Sequence, residues 1–290
     1  VTTDIDAKIL KKLEILEEKE GTLPGSLEFY RKLLLIQFTA KQHMDIPRFS
    51  LSPEVVNERI VAGRPLLEFD SLSIDWLLFR DIFKETSILF SSYSNVWAEI
   101  TGNLKGSDSF FKRIARDWFE GTQLHFMKTT DGTSEAIWTP VIHACLKPFL
   151  VSHQEDIYHL INQEFWRRNY CPICGGSPDF AFLDKERGAR WLLCSQCDAE
   201  WLFQRLECPY CSTQNQNSLA HFTDDTGFYR LYVCEECQCY LKAVDLRQTE
   251  DEVLLPLERF LTTDLDIQAE QNKYKLPERI SRGAVVKEGN

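Results

Sequence analysis

No stretch of the 290-residue chain approaches the roughly 18 consecutive apolar residues that a membrane-spanning helix needs. The longest candidates, such as Leu33-Leu34-Leu35-Ile36, are interrupted by charge or amide within one turn, which predicts no integral membrane span. The opening residues, VTTDIDAKILKKLE, lack a basic start followed by an apolar stretch, so no secretory signal is expected. A basic section is missing as well. The net charge of −11 divides into −6 over 1–165, −2 over 166–247 and −3 over 248–290. Nucleic-acid binders displace counterions with a basic surface, and no section supplies one, which points away from nucleic acid. There is no HExxH motif, no glycine-rich phosphate cradle and no nucleophile–histidine arrangement. The chain reads as a non-enzymatic binding protein.

Residues 1–170 contain one cysteine, Cys145, and no alternating strand pattern. Helical spacing dominates instead. Ile5, Ile9, Leu13 and Leu16 share one face of a charged segment ended by Gly21 and Pro24. A second helix is expected from Ser26, a third after Ser52-Pro53, and a fourth from Ser73. Ser109 to Glu120 gives a further amphipathic helix stopped by Gly121. Another begins at Ser134, with Pro140 kinking it or marking its first turn, and helical spacing returns at Ile157, Leu160, Ile161 and Phe165. The aromatic residues of this section are expected to form its core.

Nine of the ten cysteines lie between 171 and 239, and eight of them form four CxxC pairs. These are Cys171/Cys174, Cys194/Cys197, Cys208/Cys211 and Cys234/Cys237. Clustered pairs without an export signal point to metal thiolates rather than disulfides. CPICGGSPDFAFLDKERGARWLLCSQC and CPYCSTQNQNSLAHFTDDTGFYRLYVCEEC are an internal duplication. Each opens with Cys-Pro-x-Cys, passes Phe182 or Phe222, turns near Gly188 or Gly227, and closes with Leu193 or Val233 beside the next cysteine. A rubredoxin or zinc-ribbon knuckle has this form, and four thiolates favour a tetrahedral ion. The repeat predicts sequential pairing: Cys171, Cys174, Cys194 and Cys197 for one ion, and Cys208, Cys211, Cys234 and Cys237 for a second.

The expected architecture is α+β. An all-helical domain over 1–169 precedes two tandem rubredoxin-like or zinc-ribbon modules of four cysteines each, 170–206 and 207–247, and a helical tail over 248–290 that frays from Ser281. Strands are expected at 179–183, 190–193 and 228–233, and tail helix from Leu254. Closed four-thiolate sites have no open coordination position, so their expected role is structural. The competing reading is a thiol redox enzyme or redox-sensitive chaperone using a pair such as Cys208/Cys211, which would need a low-pKa first cysteine at a helix start. Cys239 reads as a buried filler, and His221, inside the second module, as hairpin packing or surface. Arg167 and Arg168 before the first knuckle and Arg205 before the third stand out against an acidic chain. They mark the expected partner-binding surface where the helical and metal sections join.

Around the cysteines the chain resembles the formate dehydrogenase accessory protein family. The likeness is carried by Tyr170-Cys-Pro-Ile-Cys-Gly-Gly-Ser-Pro178, Arg190-Trp-Leu-Leu-Cys-Ser-Gln-Cys197 with Glu200-Trp201, Arg205-Leu-Glu-Cys-Pro-Tyr-Cys211, and Tyr232 to Lys242. The resemblance implies a cytoplasmic maturation factor that contacts the catalytic subunit of a molybdenum or tungsten formate dehydrogenase. It also implies two iron ions on the eight paired cysteines, with zinc as an alternative or a replacement. The tail departs from the family pattern: it reads Gln271-Asn-Lys-Tyr-Lys275, where family members often have glycine before the tyrosine.

Overall fold

The computed structural model describes residues 5–45, 51–101, 106–122, 124 and 134–277. His125 and the expected fraying from Ser281 lie outside the described residues. In chain order the helices are α1 (Ile5–Glu20), α2 (Gly25–Gln42), α3 (Pro53–Val61), α4 (Trp76–Tyr93), α5 (Ala98–Thr101), α6 (Asp108–Glu120) and α7 (Ser134–Ile157). Strands β1 (Pro178–Leu183), β2 (Arg190–Cys194), β3 (Glu200–Leu202), β4 (Leu219–Thr223), β5 (Tyr229–Cys234) and β6 (Cys239–Asp245) follow. Helices α8 (Leu255–Leu261) and α9 (Thr263–Gln271) close the described chain. Helices first, then two cysteine clusters in a strand region, then tail helices is the expected fold class.

The described residues fall into two compact units. One takes in 5–45 and 67–156. Its core is aromatic: Phe83 stacks on Trp138 at 5.7 Å between ring centroids and meets Phe111 edge-on at 5.1 Å. Local signals set the helix ends. Ser107 caps α6 by accepting from Phe110 N at 3.3 Å, and Gly121 ends it in the left-handed region at φ 69°. Helix α4 starts later than expected, because Asp75 rather than Ser73 provides the cap, accepting from Leu77 N at 2.9 Å. The amide of Ser73 donates instead to buried His153 Nε2 at 3.1 Å.

Helix α7 runs through both Pro140 and Pro148. Proline at 148 removes the N–H that would reach the carbonyl of Ala144. That buried carbonyl is met from another helix, by Gln37 Nε2 of α2 at 2.8 Å. Beyond α7 the expected helical spacing fails. A single 3-10 turn, Tyr158–Leu160, ends the helix, and Phe165 is exposed.

The second unit takes in 51–66 and 157–277, so α3 groups with the cysteine-rich section. Tyr170 Oη donates to Gly63 O at 2.8 Å, and Leu66 N donates to Pro172 O at 2.9 Å. The six strands form one sheet in the order β3-β2-β1-β6-β5-β4. Each half of the duplication contributes three antiparallel strands, and the halves join through β1 and β6, which run parallel. The three expected strands are present. Strands β3, β4 and β6 went unread in the sequence.

The two tail helices cover different parts of the sheet, α8 its centre across β2, β1 and β6 and α9 the β5–β6 side. Leu255 of α8 packs with Phe180, Phe182, Leu193 and Val244, while Ala269 of α9 packs with Leu231, Val233 and Tyr240. Buried charges fix both helices. Arg259 pairs with Asp179 at 2.9 Å and also with Asp198, and Lys242 of β6 pairs with Asp266 at 2.6 Å.

At the end of α9, Lys273 holds φ 68°, and Tyr274 N closes back onto Ala269 O at 3.0 Å. A lysine Cβ is disfavoured there, and glycine is not. Lys273→Gly should therefore raise the stability of the metal-loaded chain by about 0.5–1 kcal/mol, after allowing for glycine's extra unfolded-state entropy. The urea midpoint, at unchanged denaturant slope, measures it.

Candidate metal centres

Four turns of the same design carry the sulfurs. Each ends on a residue in the left-handed region immediately after its second cysteine: Gly175 at φ 70°, Asp198 at 57°, Ser212 at 58° and Gln238 at 55°. The first and third turns match bond for bond. Gly175 N donates to Cys171 O at 2.9 Å and Ser212 N to Cys208 O at 3.0 Å. Cys171 N donates to Gly176 O and Cys208 N to Thr213 O, each at 2.9 Å. The second and fourth turns are the hairpins between β2 and β3 and between β5 and β6. The duplication seen in the sequence is thus a duplication of backbone geometry.

The turns bring the sulfurs together in two sets of four, Cys171, Cys174, Cys194 and Cys197, and Cys208, Cys211, Cys234 and Cys237. Within each set all four lie within 4.8 Å of one another. This is the sequential grouping, with neither set mixing the two halves. The short Sγ–Sγ separations are 3.6 Å for Cys171–Cys197, 3.5 Å for Cys174–Cys194, 3.7 Å for Cys208–Cys237 and 3.6 Å for Cys211–Cys234. Four sulfurs placed about 2.3 Å from a shared ion stand about 3.8 Å apart, so the sets fit a tetrahedral thiolate ion.

Backbone amides converge on the sulfurs. Ile173 N lies 3.4 Å and Cys174 N 3.5 Å from Cys171 Sγ, Gln196 N 3.3 Å from Cys194 Sγ, and Tyr210 N 3.4 Å from Cys208 Sγ. Without a cation, burial pushes the Cys171 and Cys197 thiols far up and the Cys208 thiol up to about 12. A bound dication is what would allow such buried sulfurs to ionise together.

The two sets differ in access. Cys171, Cys174, Cys194 and Cys197 are fully buried, whereas in the second set Cys211 is exposed and Cys237 half-buried. Gln196 lies over the first set, and Gly176 lets it come that close: a Cβ there would sit 2.8 Å from Gln196 Cδ and 3.1 Å from Cys194 Sγ. Cys239 is buried beside the second set but outside it, its thiol donating to Cys237 O at 3.5 Å. His221 belongs to neither set and is exposed, with its ring against Tyr232 at 5.6 Å.

Two arginines that the sequence did not single out hold these turns. Arg190 of β2 is buried, donates to Glu207 O at 2.6 Å and to Gln204 O, and faces the Phe203 and Tyr232 rings at 5.3 Å and 5.7 Å. The first half thereby grips the peptides that lead into Cys208. Arg259 Nη2 donates to the carbonyl of Cys194, tying α8 to the second turn. Arg190 is the one charged residue of an otherwise apolar strand, which is the signal that marks it, whereas Arg259 follows Glu258 in α8.

Of the expected partner-binding cations, Arg167 and Arg205 are exposed. Arg168 is half-buried, with its guanidinium 5.8 Å from the Trp166 ring centroid and packed over Gly63. Arg205 borders a small cavity of about 30 Å³ that Arg190, Tyr210, Tyr232 and Cys239 also line.

Comparison with known proteins bears out the family resemblance. Residues 170–205 match the family model described as the FdhE central domain. The chain is 24% identical over 275 residues to "Protein FdhE homolog" of Aquifex aeolicus, covering 93% of this chain and 92% of that one. It is 32% identical over 114 residues to the FdhE homolog of Haemophilus ducreyi, 38% of this chain and 37% of that one. The crystal structure of the FdhE protein from Pseudomonas aeruginosa shares the fold at a TM-score of 0.62, with 22% identity and coverage of 94% and 93% of the two chains.

The difference in burial yields a measurable order of metal loss. Excess chelator should strip the second set first, so that zinc- or iron-loaded protein passes from two ions to one per chain before losing the last. Mass spectrometry under native conditions, with alkylation mapping, should find Cys211 and Cys237 modified while Cys171 and Cys174 remain protected. Simultaneous loss of both ions would show that access does not set the order.

Proposed function

We propose that the chain is a member of the FdhE family and, on that premise, a non-enzymatic accessory protein. In this reading it acts in the cytoplasm, binds the catalytic subunit of a molybdenum or tungsten formate dehydrogenase, and assists its maturation or assembly before export. The observation that carries the reading is the pair of four-sulfur sets, each complete within its own half and suited to a closed ion. Such ions supply charge neutralisation and folding energy at a surface rather than a position for substrate.

The eight paired cysteines are the proposed ligands. Iron is the proposed ion in the cell, with zinc able to take its place, since both accept tetrahedral sulfur. Among the described residues no helix is long and apolar enough to cross a membrane. The redox reading would require a low-pKa cysteine at a helix start. Cys208 lies in the turn that follows β3 and Cys234 at the end of β5, so neither opens a helix, although Cys234, against its burial, is drawn down by backbone amides.

Arg167, Arg168 and Arg205 are the proposed contacts for client carboxylates. Exposed cations steer association and make it sensitive to salt. A tagged chain should capture the formate dehydrogenase catalytic subunit from anaerobically grown cells. The Arg167→Ser, Arg168→Ser, Arg205→Ser triple variant should capture several-fold less at low salt, with a flatter salt dependence and two metals still bound. Parent-like capture by the triple variant would move the client site elsewhere. Failure of the parent to capture any such subunit would overturn the client itself.

A further inference from the structure

The two outer edges of the sheet are built differently. At β3, Cys194 N donates to Ala199 O and Phe203 N to Arg190 O, both at 2.9 Å. The antiparallel alternation therefore turns the N–H and C=O groups of Glu200 and Leu202 away from β2. Side chains meet them there. Glu200 O accepts from Tyr158 Oη at 3.0 Å and from Gln163 Nε2 at 3.4 Å, and Leu202 N donates to Gln163 Oε1 at 3.2 Å. This edge is closed to further strands.

At β4 the same accounting ends differently. Asp224 N donates to Tyr229 O at 3.2 Å and Glu235 N to Ser218 O at 2.8 Å, with His221 opposite Tyr232. Ala220 and Phe222 thus bond to β5, while the N–H and C=O groups of His221 and Thr223 point outward. Among the described residues no strand or side chain pairs with them. Ala220 to Thr223 are exposed, Phe222 at 54%, and the strand carries neither the lysine nor the proline that commonly protects an edge.

The duplication shows what such an edge accepts. Aligned on Phe182 and Phe222, Ala181 and Leu183 of β1 correspond to His221 and Thr223. In β1 those positions face β6, which runs parallel to β1 in the register Ala181↔Ala243 and Leu183↔Asp245. The second half has the same edge, with no strand beside it among the described residues.

We propose that the outer edge of β4 is a docking site for an extended segment of a partner protein, added as a seventh strand parallel to β4. Charge complementarity sets its chemistry. Arg205, which makes no ion pair among the described residues, lines one cavity with Leu219 and Ala220 at the start of β4, and Arg230, paired with buried Asp245 at 2.6 Å, stands opposite Thr223. Exposed Asp224 and Asp225 stand at the hairpin tip. The segment carries a carboxylate in its N-terminal half, beside Arg205, and no acid near the tip. A second copy of the chain fits poorly: its β3 edge is closed, and a two-fold β4–β4 pairing would be antiparallel, unlike β6 on β1. The site does not depend on which protein is the client.

The test uses the full, metal-loaded chain and a displayed pool of random octapeptides. The parent should enrich extended, acid-containing sequences about tenfold over His221→Pro, which lacks the outward N–H yet costs no bond to β5. Hydrogen exchange with an enriched peptide should slow the amides of His221 and Thr223. His221→Asp keeps that amide and cancels the charge of Arg205, so its enriched sequences should lose their acidic preference. Equal enrichment on parent and proline variant overturns the site, as does protection of other amides. If the proline variant fails to retain two metals, the aspartate variant decides, and an unchanged acid preference sinks the proposal. Self-association of the parent that the proline variant abolishes would replace the partner with a second copy.

Discussion

Four sulfurs within 4.8 Å of one another, in a protein interior, are the constraint on which the cysteine-rich unit depends. As thiolates they repel, and as thiols they are weak partners that leave the turns around them with little to hold. A shared dication removes both difficulties at once, which couples ion binding to folding of each half. The strands between the turns are only three to seven residues long, too short to generate a large core alone. The surrounding structure converges on the turns accordingly. Arg259 reaches the Cys194 carbonyl, Lys275 N donates to Gln238 O at 2.8 Å, and the tail segment bridges to Cys239.

Duplication alone would give two beads on a string. The parallel pairing of β1 with β6 instead makes one sheet, in which a strand from each half supplies the other's neighbour. Arg190 adds a second link, since a residue of the first half holds the peptides before Cys208. The tail helices add a third. Damage to one ion site therefore reaches the other through the sheet centre and through Arg190, even though each ligand set is complete within its own half.

The cysteine pairs, their sequential grouping and most helices were legible because they rest on local signals: fixed spacing, caps, and apolar periodicity at 3.6 residues. The missed strands lack the matching signal. β6 is buried on both faces, so it has no alternation, and Lys242 and Asp245 interrupt its apolar run. β4 is almost wholly exposed, so it has no apolar face to read. The segment at 157–165 keeps helical spacing in its apolar residues, but Ile157 and Ile161 are buried while Phe165 faces solvent. Buried Arg190, Lys242 and Arg259 were illegible for a deeper reason: long charged side chains find carbonyls and carboxylates distant in sequence, and only the fold brings those together.

Three of the four cysteine turns place an L residue where glycine would sit without strain, and the pattern of exceptions is informative. The first turn uses Gly175, while Asp198, Ser212 and Gln238 hold φ near 57°. Two of these side chains use the position. Asp198 receives Arg259 from α8, and Gln238 Nε2 donates to Glu235 O at 2.7 Å within its own turn. Glycine at 198 would relax the backbone but strand part of a buried guanidinium, which costs more than the left-handed conformation itself. At Ser212, beside exposed Cys211, no side-chain bond offsets the strain among the described residues. The least supported turn is thus also the one whose sulfur meets solvent. Strain and access place the weaker ion site in the second half.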